Sequence, residues 1–216
     1  MVKLFEILGL LDYFVIGGVA LWGIYCAVVV LTRISSKRFK TEAAQDEFLD
    51  SVLPALQDGD FDEVVETSEG NQKALAIMVH LGVVNRELGY QKVRQYVLDR
   101  FQRDVLSDLE NRLAWITTCV KTAPLLGLFG TVLGMLGAFR NMEGSSQADP
   151  GKLAGDIRMA LEHTAMGLAV AIPLGIIVAL VNNRIRGMQE LVASGLIRFL
   201  DALKIGLAKT SKRVRS

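Results

Sequence analysis

Cysteine and histidine are scarce in this chain, which has two of each among 216 residues. Cys26 and Cys119 are too few for a disulfide framework, and neither has the histidine and aspartate company that a catalytic thiol needs. His80 and His163 lie far apart in sequence with no further histidine or cysteine beside them, so no metal site is expected. Because no nucleophile, base and orienting residue can be nominated, the sequence predicts neither an enzyme nor a cofactor.

An acidic run in the first half of the chain does not make a calcium site. Asp58, Asp60 and Asp62 imitate the first ligands of a calcium-binding loop, but Glu63 stands where such a loop requires glycine. A helix cap with a solvated face explains the run better. The surrounding region shows helical spacing of its apolar residues and no strand alternation.

Three apolar stretches without charged residues cover 13–32, 122–139 and 164–181. Each is about twenty residues long, which is enough for a helix to cross the hydrocarbon core of a bilayer. Hydrophobic residues make up 51% of the chain and charged residues 22%, an unusual balance for a soluble domain of this size. The sequence therefore predicts an integral membrane protein with three transmembrane helices.

Basic residues after the first and third stretches predict their orientation. Arg33, Lys37 and Arg38 follow the first stretch, and Arg184 and Arg186 follow the third. Positive charge favours the cytoplasmic side, so the C-terminal ends of the first and third stretches should face the cytoplasm. The N-terminus of the chain should then lie outside. The first stretch lacks a small-residue cleavage site, and we expect a retained anchor rather than a removed signal peptide.

The predicted fold is an all-α integral membrane protein whose second and third transmembrane helices extend into a cytoplasmic helical bundle. No helix breaker occurs between Tyr90 and Pro124, and the third stretch has no stop signal at its inner end. An amphipathic tail lying on the bilayer is the alternative for the C-terminal part. The predicted segments are an external N-terminus with the first transmembrane helix (1–32), a cytoplasmic helical region (33–113), the second transmembrane helix (114–140), a short external loop (141–157), the third transmembrane helix (158–183) and a cytoplasmic C-terminal helix (184–216).

Small residues recur at helical intervals in the second span. Gly127, Gly130 and Gly134 form a stripe that includes a GxxxG pair, and such stripes let helix backbones approach closely in membranes. Gly167 is expected to pack in the same way in the third span. Pro124 and Pro173 each free a carbonyl one turn back and are expected to bend these two helices.

Polar side chains in the two spans are candidates for an ion path. An unpaired ionised carboxyl inside a bilayer costs about 2.5 to 3.5 kcal/mol on insertion scales, so Glu162 should meet a cation, hold a proton or face water. The alternative is that Glu162 lies outside the hydrocarbon and pairs with Arg158 one turn away. Thr131 lies beside the glycine stripe, although a lone membrane threonine commonly bonds the carbonyl one turn back.

Two segments resemble a known family. APLLGLFGTVLGM (123–135) is similar to the AP-hydrophobic-GLFGTVWGI signature of the MotA/TolQ/ExbB proton-channel family, and HTAMGLAVAIP (163–173) is similar to its ATAxGLxxAIP signature. GDFDEVVE (59–66) resembles a weaker cytosolic segment of the ExbB and TolQ branch. The resemblance covers nearly the whole chain and is closest to that branch.

The resemblance implies a homopentamer in the bacterial inner membrane whose second and third helices line a central pore. It also implies two copies of a single-span partner of the ExbD or TolR type inside that pore, with a TonB-like or TolA-like energy transducer as a further partner. Thr131 and Thr164 match the family's pore threonines, and Pro124 and Pro173 match its helix-bending prolines. The implied function is that of a subunit in a proton-motive-force-driven motor for the cell envelope.

One position departs from the family pattern. Met159 stands where ExbB-type members carry a glutamate five residues before the third-span threonine. Glu162 lies three residues later, nearly one turn further along roughly the same face, and is the candidate to replace it. The predicted ion path therefore consists of Thr131, Thr164 and Glu162.

A passive membrane scaffold that recruits cytosolic or envelope proteins without conducting ions is the main alternative function. A secondary transporter is less favoured, because three spans leave little room for a substrate pocket and no inverted repeat is evident. The expected partners are the lipid bilayer and the proteins named above. No nucleic acid is expected to bind.

Overall fold

The structure, a computed structural model, describes residues 2–143 and 150–215. Side chains are described for residues 11–140, 142 and 150–210. Met1, residues 144–149 and Ser216 lie outside the described residues, and with them lies the middle of the predicted loop 141–157.

Helices make up 93% of the structure, and no strand occurs among the described residues. A 3₁₀ turn spans Arg86–Leu88, and a π-helical segment, Phe101–Leu106, joins α5 to α6. The all-α fold is therefore confirmed. The α-helices are α1 (Val2–Lys37), α2 (Glu42–Asp58), α3 (Phe61–Ser68), α4 (Ala74–Val84), α5 (Tyr90–Arg100), α6 (Ser107–Glu143) and α7 (Pro150–Arg215).

Three helical stretches are long and apolar enough to cross a membrane, and they lie at Leu11–Lys37, Tyr90–Arg140 and Pro150–Thr210. This confirms the three transmembrane helices that the apolar stretches predict. The extension of the second and third into a cytoplasmic bundle stays a prediction.

The ends of the predicted loop are helical. α6 continues to Glu143, and α7 begins at Pro150, so residues 141–143 and 150–157 belong to helices. Proline is favourable at the start of a helix, because the N–H that it lacks would have no partner in the first turn. Pro150 was therefore a signal in the sequence for the start of α7.

The π-helical segment was not predicted, since no glycine or proline marks it. From α5 into this segment, buried side chains recur every four residues, at Val93, Val97, Phe101 and Val105. An α-helix has 3.6 residues per turn, so a repeat of four drifts around its surface. The π turn is wider, because its hydrogen bonds span five residues, and it keeps the repeat on one face.

The chain divides into two compact units. Unit 1 contains Met1–Val29 and Arg112–Val181, and unit 2 contains Val30–Asn111 and Asn182–Ser216. Most of the apolar stretches of α1, α6 and α7 thus belong to unit 1. Unit 2 holds α2 to α5 and the last part of α7.

Polar caps define the short helices of unit 2. Thr41 precedes α2 in an extended conformation, and its hydroxyl accepts a hydrogen bond from the Ala44 N–H at 3.2 Å. Asp60 caps α3 by accepting from the Glu63 N–H at 3.3 Å. Between these helices Gly59 has a φ of 84°, a left-handed conformation that glycine adopts without strain. The acidic run therefore contains a helix cap, as predicted.

The last part of α7 packs against α2 and α4 in unit 2. The Phe199 ring is fully buried, and its Cζ atom lies 2.7 Å from the place where a Cβ on Gly82 would stand. From α2, Gln45 donates a hydrogen bond through Nε2 to the Leu191 carbonyl at 2.7 Å. This part of α7 is therefore a core element.

Glycines on α7 allow close packing in unit 2 as well. A Cβ on Gly195 would stand 2.5 Å from a methyl carbon of Leu75, and one on Gly206 would collide with the Leu56 carbonyl oxygen. The second contact is with backbone, which cannot rotate away. Gly206 therefore sets how closely α7 approaches α2.

Phe199→Ala is expected to destabilise unit 2 by about 3–5 kcal/mol, because the fully buried ring leaves a cavity. Ile197→Ala is the matched control, since this neighbouring side chain is 63% exposed. Its effect should stay within about 0.5 kcal/mol. Thermal unfolding in detergent, followed by circular dichroism, compares the two. Similar losses in both variants would contradict the packing described for Phe199.

Candidate ion-path site

In unit 1, α6 and α7 contact each other backbone to backbone. A Cβ atom on Gly127 would stand 2.6 Å from the His163 carbonyl oxygen, and one on Gly167 would stand 2.5 Å from the Ala123 carbonyl oxygen. Neither place has room for a side chain, so both positions need glycine. Two residues predicted to pack the helices therefore lie at this contact.

The other two glycines of the stripe face different neighbours. A Cβ on Gly134 would stand 2.8 Å from the Ala160 Cβ of α7. One on Gly130 would stand 2.5 Å from Asp12 Oδ2 of α1 and 2.6 Å from the His163 ring. Gly130 thus leaves the space that two ionisable side chains occupy.

Thr131 of α6 and Thr164 of α7 bring their hydroxyl groups into direct contact, and we call them the hydroxyl pair. Thr131 Oγ1 lies 3.1 Å from the Gly127 carbonyl oxygen and 3.0 Å from the Ala160 carbonyl oxygen. Thr164 Oγ1 lies 3.2 Å from the same Gly127 oxygen. Because each hydroxyl has one proton to donate, these acceptors are shared between the two threonines.

The hydroxyl pair offers polar partners without a fixed charge. Both threonines are half-buried, and each hydroxyl can donate or accept a hydrogen bond by rotation. Thr131 does bond the carbonyl one turn back, which is the ordinary role of a membrane threonine. Its contact with Thr164 is additional, and it creates a place where a charged or protonated group could find hydrogen-bond partners inside apolar helices.

Glu162 lies at the surface of unit 1 and pairs with Arg158. The distance between Arg158 Nε and Glu162 Oε1 is 3.6 Å, and the two side chains are 78% and 54% exposed. Exposed pairs one turn apart on a helix contribute about 0.3–0.5 kcal/mol. This arrangement matches the alternative in which Glu162 forms a surface pair, and none of its described contacts reaches the hydroxyl pair.

The two prolines lie inside continuous helices. Pro124 is half-buried in α6, and Pro173 is exposed on α7. Since proline has no N–H, the carbonyls of Val120 and Ala169 lack their usual helical donor. The bending assigned to these prolines stays a prediction.

The structure also brings together ionisable residues that sequence reasoning missed. Asp12 is 5% exposed and His163 is 4% exposed, although both border apolar stretches. The Tyr13 and His163 ring centroids are 4.0 Å apart. An aspartate attached directly to the first apolar stretch was a signal, but no pattern in the sequence joins residue 12 to residue 163.

The two cysteines lie elsewhere in unit 1. Cys26 and Cys119 are free and buried in unit 1, where a Cβ on Gly23 would stand 3.4 Å from Cys119 Cβ. Both thiols therefore belong to the packed interior of unit 1. Within 2–143 and 150–215, no three histidine, cysteine, aspartate or glutamate side chains are grouped to hold a metal ion.

A helical membrane protein that holds polar groups between two of its spans is the class that these features define. Residues 71–193, more than half of the chain, match the MotA/TolQ/ExbB proton channel family, and the chain belongs to that family. The matched region includes both segments on which the resemblance was based, 123–135 and 163–173. The family is one of membrane channels rather than enzymes.

Similar proteins fall in the ExbB and TolQ branch. The chain is 28% identical over 183 residues to a biopolymer transport protein ExbB homolog of Methanothermobacter thermautotrophicus, with 81% of this chain and 63% of that protein covered. It is 38% identical over 92 residues to the biopolymer transport protein ExbB of Helicobacter pylori, covering 42% and 62%. The Tol-Pal system protein TolQ of Haemophilus influenzae is 35% identical over 85 residues, covering 39% and 37%. Each match therefore spans less than two thirds of the relative.

Gly127→Ala is expected to destabilise unit 1 by about 1–3 kcal/mol, because the added methyl group meets the His163 carbonyl. Gly137→Ala, on the same helix, is the control, since nothing lies within 4 Å of its Cβ position. Thermal unfolding followed with a thiol-reactive dye reports on unit 1, because Cys26 and Cys119 are buried there. An equal loss of stability in Gly137→Ala would contradict a specific role of the contact between Gly127 and the His163 carbonyl.

Proposed function

We propose that this chain is an ExbB/TolQ-like subunit of an inner-membrane motor that uses the proton-motive force to power work in the cell envelope. The hydroxyl pair carries the proposal. In a member of a proton-channel family, it places two polar groups at the contact between two apolar helices. The ExbB and TolQ relatives support the branch.

In this proposal five copies of the chain surround two copies of a single-span partner of the ExbD or TolR type. A TonB-like or TolA-like transducer would pass the work on. Large apolar side chains along α6 and α7 are exposed in the single chain and need lipid or protein against them. They include Leu125, Leu128, Phe129, Val132 and Leu136 on α6 and Met166, Leu168, Ile172 and Ile176 on α7.

The proposed mechanism follows from the cost of charge in lipid. A carboxyl group on the partner helix can ionise only where the hydroxyl pair and nearby water solvate it, and protonation releases it to move on. The membrane potential supplies about 2.3 kcal/mol per charge per 100 mV. That is enough for one conformational step, so we expect several protons per work cycle.

Glu162 has a conditional place in this path. In the single chain it is exposed and paired with Arg158, so any contact with the moving proton would have to come from the assembled complex. The proposed orientation, with the N-terminus outside and the C-terminus in the cytoplasm, rests on Arg33, Lys37 and Arg184 after the first and third apolar stretches.

Native mass spectrometry of the complex, extracted in mild detergent from its own host, tests the assembly. We expect five copies of this chain with two copies of a small single-span protein. The sequence of that partner would then indicate which process in the cell envelope the motor drives. An assembly of another order without such a partner would favour a passive scaffold instead.

Thr131→Val and Thr164→Val test the hydroxyl pair, since valine keeps the shape and removes the hydroxyl. Loss of a hydrogen bond to a charged group costs about 1.5–3 kcal/mol, so proton flux should fall roughly tenfold or more. Flux is measured in liposomes that contain the complete complex, under an imposed potential, after native mass spectrometry has shown normal assembly.

Thr118→Val is the matched control for this test. Its hydroxyl donates to the Ala114 carbonyl at 2.9 Å, a bond of the same kind one turn back on α6. We expect normal flux in this variant. Full flux in both Thr131→Val and Thr164→Val would rule out the proposed path, whereas a loss in all three would point to a general effect of threonine removal.

A further inference from the structure

Asp12 of α1 is a buried carboxyl group among apolar helices. Its side chain is 5% exposed, and its Oδ2 atom has no hydrogen-bond partner among the described residues. A buried carboxylate with an oxygen that no hydrogen bond satisfies is unfavourable in such surroundings unless it holds a proton or adjoins an opposite charge. Asp12 therefore needs a compensating group.

His163 of α7 is an ionisable side chain that lies beside Asp12. Asp12 Oδ2 and His163 Cδ2 lie 2.5 Å and 2.6 Å from the place where a Cβ on Gly130 would stand. The two side chains thus meet over a glycine of α6, and a larger residue there would separate them. Because 2.5 and 2.6 Å add to 5.1 Å, these two atoms are at most 5.1 Å apart. Opposite charges at such a distance attract more strongly in a buried place than in bulk water.

A backbone hydrogen bond determines how the imidazole holds its protons. His163 Nδ1 lies 2.8 Å from the Met159 carbonyl oxygen, which can only accept, so Nδ1 carries a proton and donates it. A second proton must then be held at Nε2. The charge of the ring is therefore gained and lost at Nε2.

Two further titratable groups among the described side chains lie near this place. Tyr13 lies against the imidazole, with a distance of 4.0 Å between the two ring centroids. Glu162 is exposed and already paired with Arg158. Gly130 of α6 faces the site and brings no charge. The imidazole is therefore the cation best placed to balance the buried carboxylate.

We propose that Asp12 and His163 form a proton-binding site in which the imidazole carries the proton and the carboxylate is its counter-ion. Each charge stabilises the other, and removal of one leaves the other buried without compensation. The site joins α1 to α7 and is separate from the hydroxyl pair, which lies on the adjoining residues 131 and 164. This proposal does not rest on the proposed function, because it concerns the equilibrium protonation of the His163 ring and not the flow of ions.

Nitrogen-15 NMR of histidine-labelled protein in detergent or nanodiscs tests this site directly. The chain has two histidines, so His80→Gln assigns both sets of ring signals. In the wild type we expect His163 to show two protonated ring nitrogens. In Asp12→Asn, a nearly isosteric change, the ratio of doubly to singly protonated His163 should fall about tenfold or more at the same pH, because the adjoining negative charge is gone.

Asp58→Asn is the matched control, since it removes a carboxylate that is exposed and paired with Lys209 in unit 2. Both histidines should keep their wild-type signals in this variant. Protection of the buried thiols of Cys26 and Cys119 from a thiol-reactive dye reports whether unit 1 of Asp12→Asn is folded. An unchanged His163 ratio in folded Asp12→Asn would overturn the ion pair. If that variant does not fold, the wild type decides alone, because a His163 ring that stays neutral down to about pH 5 would overturn it as well.

Discussion

The contact between the backbones of α6 and α7 is the constraint on which the rest of unit 1 depends. Gly127 and Gly167 leave no room for a Cβ atom, so the helices approach until carbonyl oxygens meet glycine. Lipid is as apolar as the helix surfaces, and the contact is therefore stabilised by van der Waals packing rather than by exclusion of water. At this distance even the short side chains of Thr131 and Thr164 reach each other.

Burial and pairing separate Asp12 of α1 and the ionisable residues at the start of the third span into two kinds. Glu162 and Arg158 are both exposed, and their pairing has little influence on stability. Asp12 and His163 are both buried, where charges cost most when left alone. Neighbours in sequence, residues 162 and 163 thus belong to different electrostatic environments because they point to different sides of α7.

Much of the fold could be predicted from the sequence, because length and apolarity are properties of single segments. The three spans and the cap at Asp60 follow from such local signals. The π-helical turn did not, since it depends on a four-residue repeat that also resembles an ordinary helix face. Thr131 and Thr164 were predicted through family resemblance. Asp12 and His163 are 151 positions apart in sequence and come together only in the folded chain, so no local sequence pattern could predict them as a pair.

α7 makes the same kind of contact, glycine against a backbone carbonyl, with two different helices. Gly167 makes it with the apolar helix α6, and Gly206 makes it with α2. A contact between backbones gains its energy from dispersion at short range, and this attraction is much the same in lipid and in water. Contacts that depend on excluding water would have to change where the solvent changes. α7 therefore needs no second kind of contact where its neighbour changes from α6 in unit 1 to α2 in unit 2.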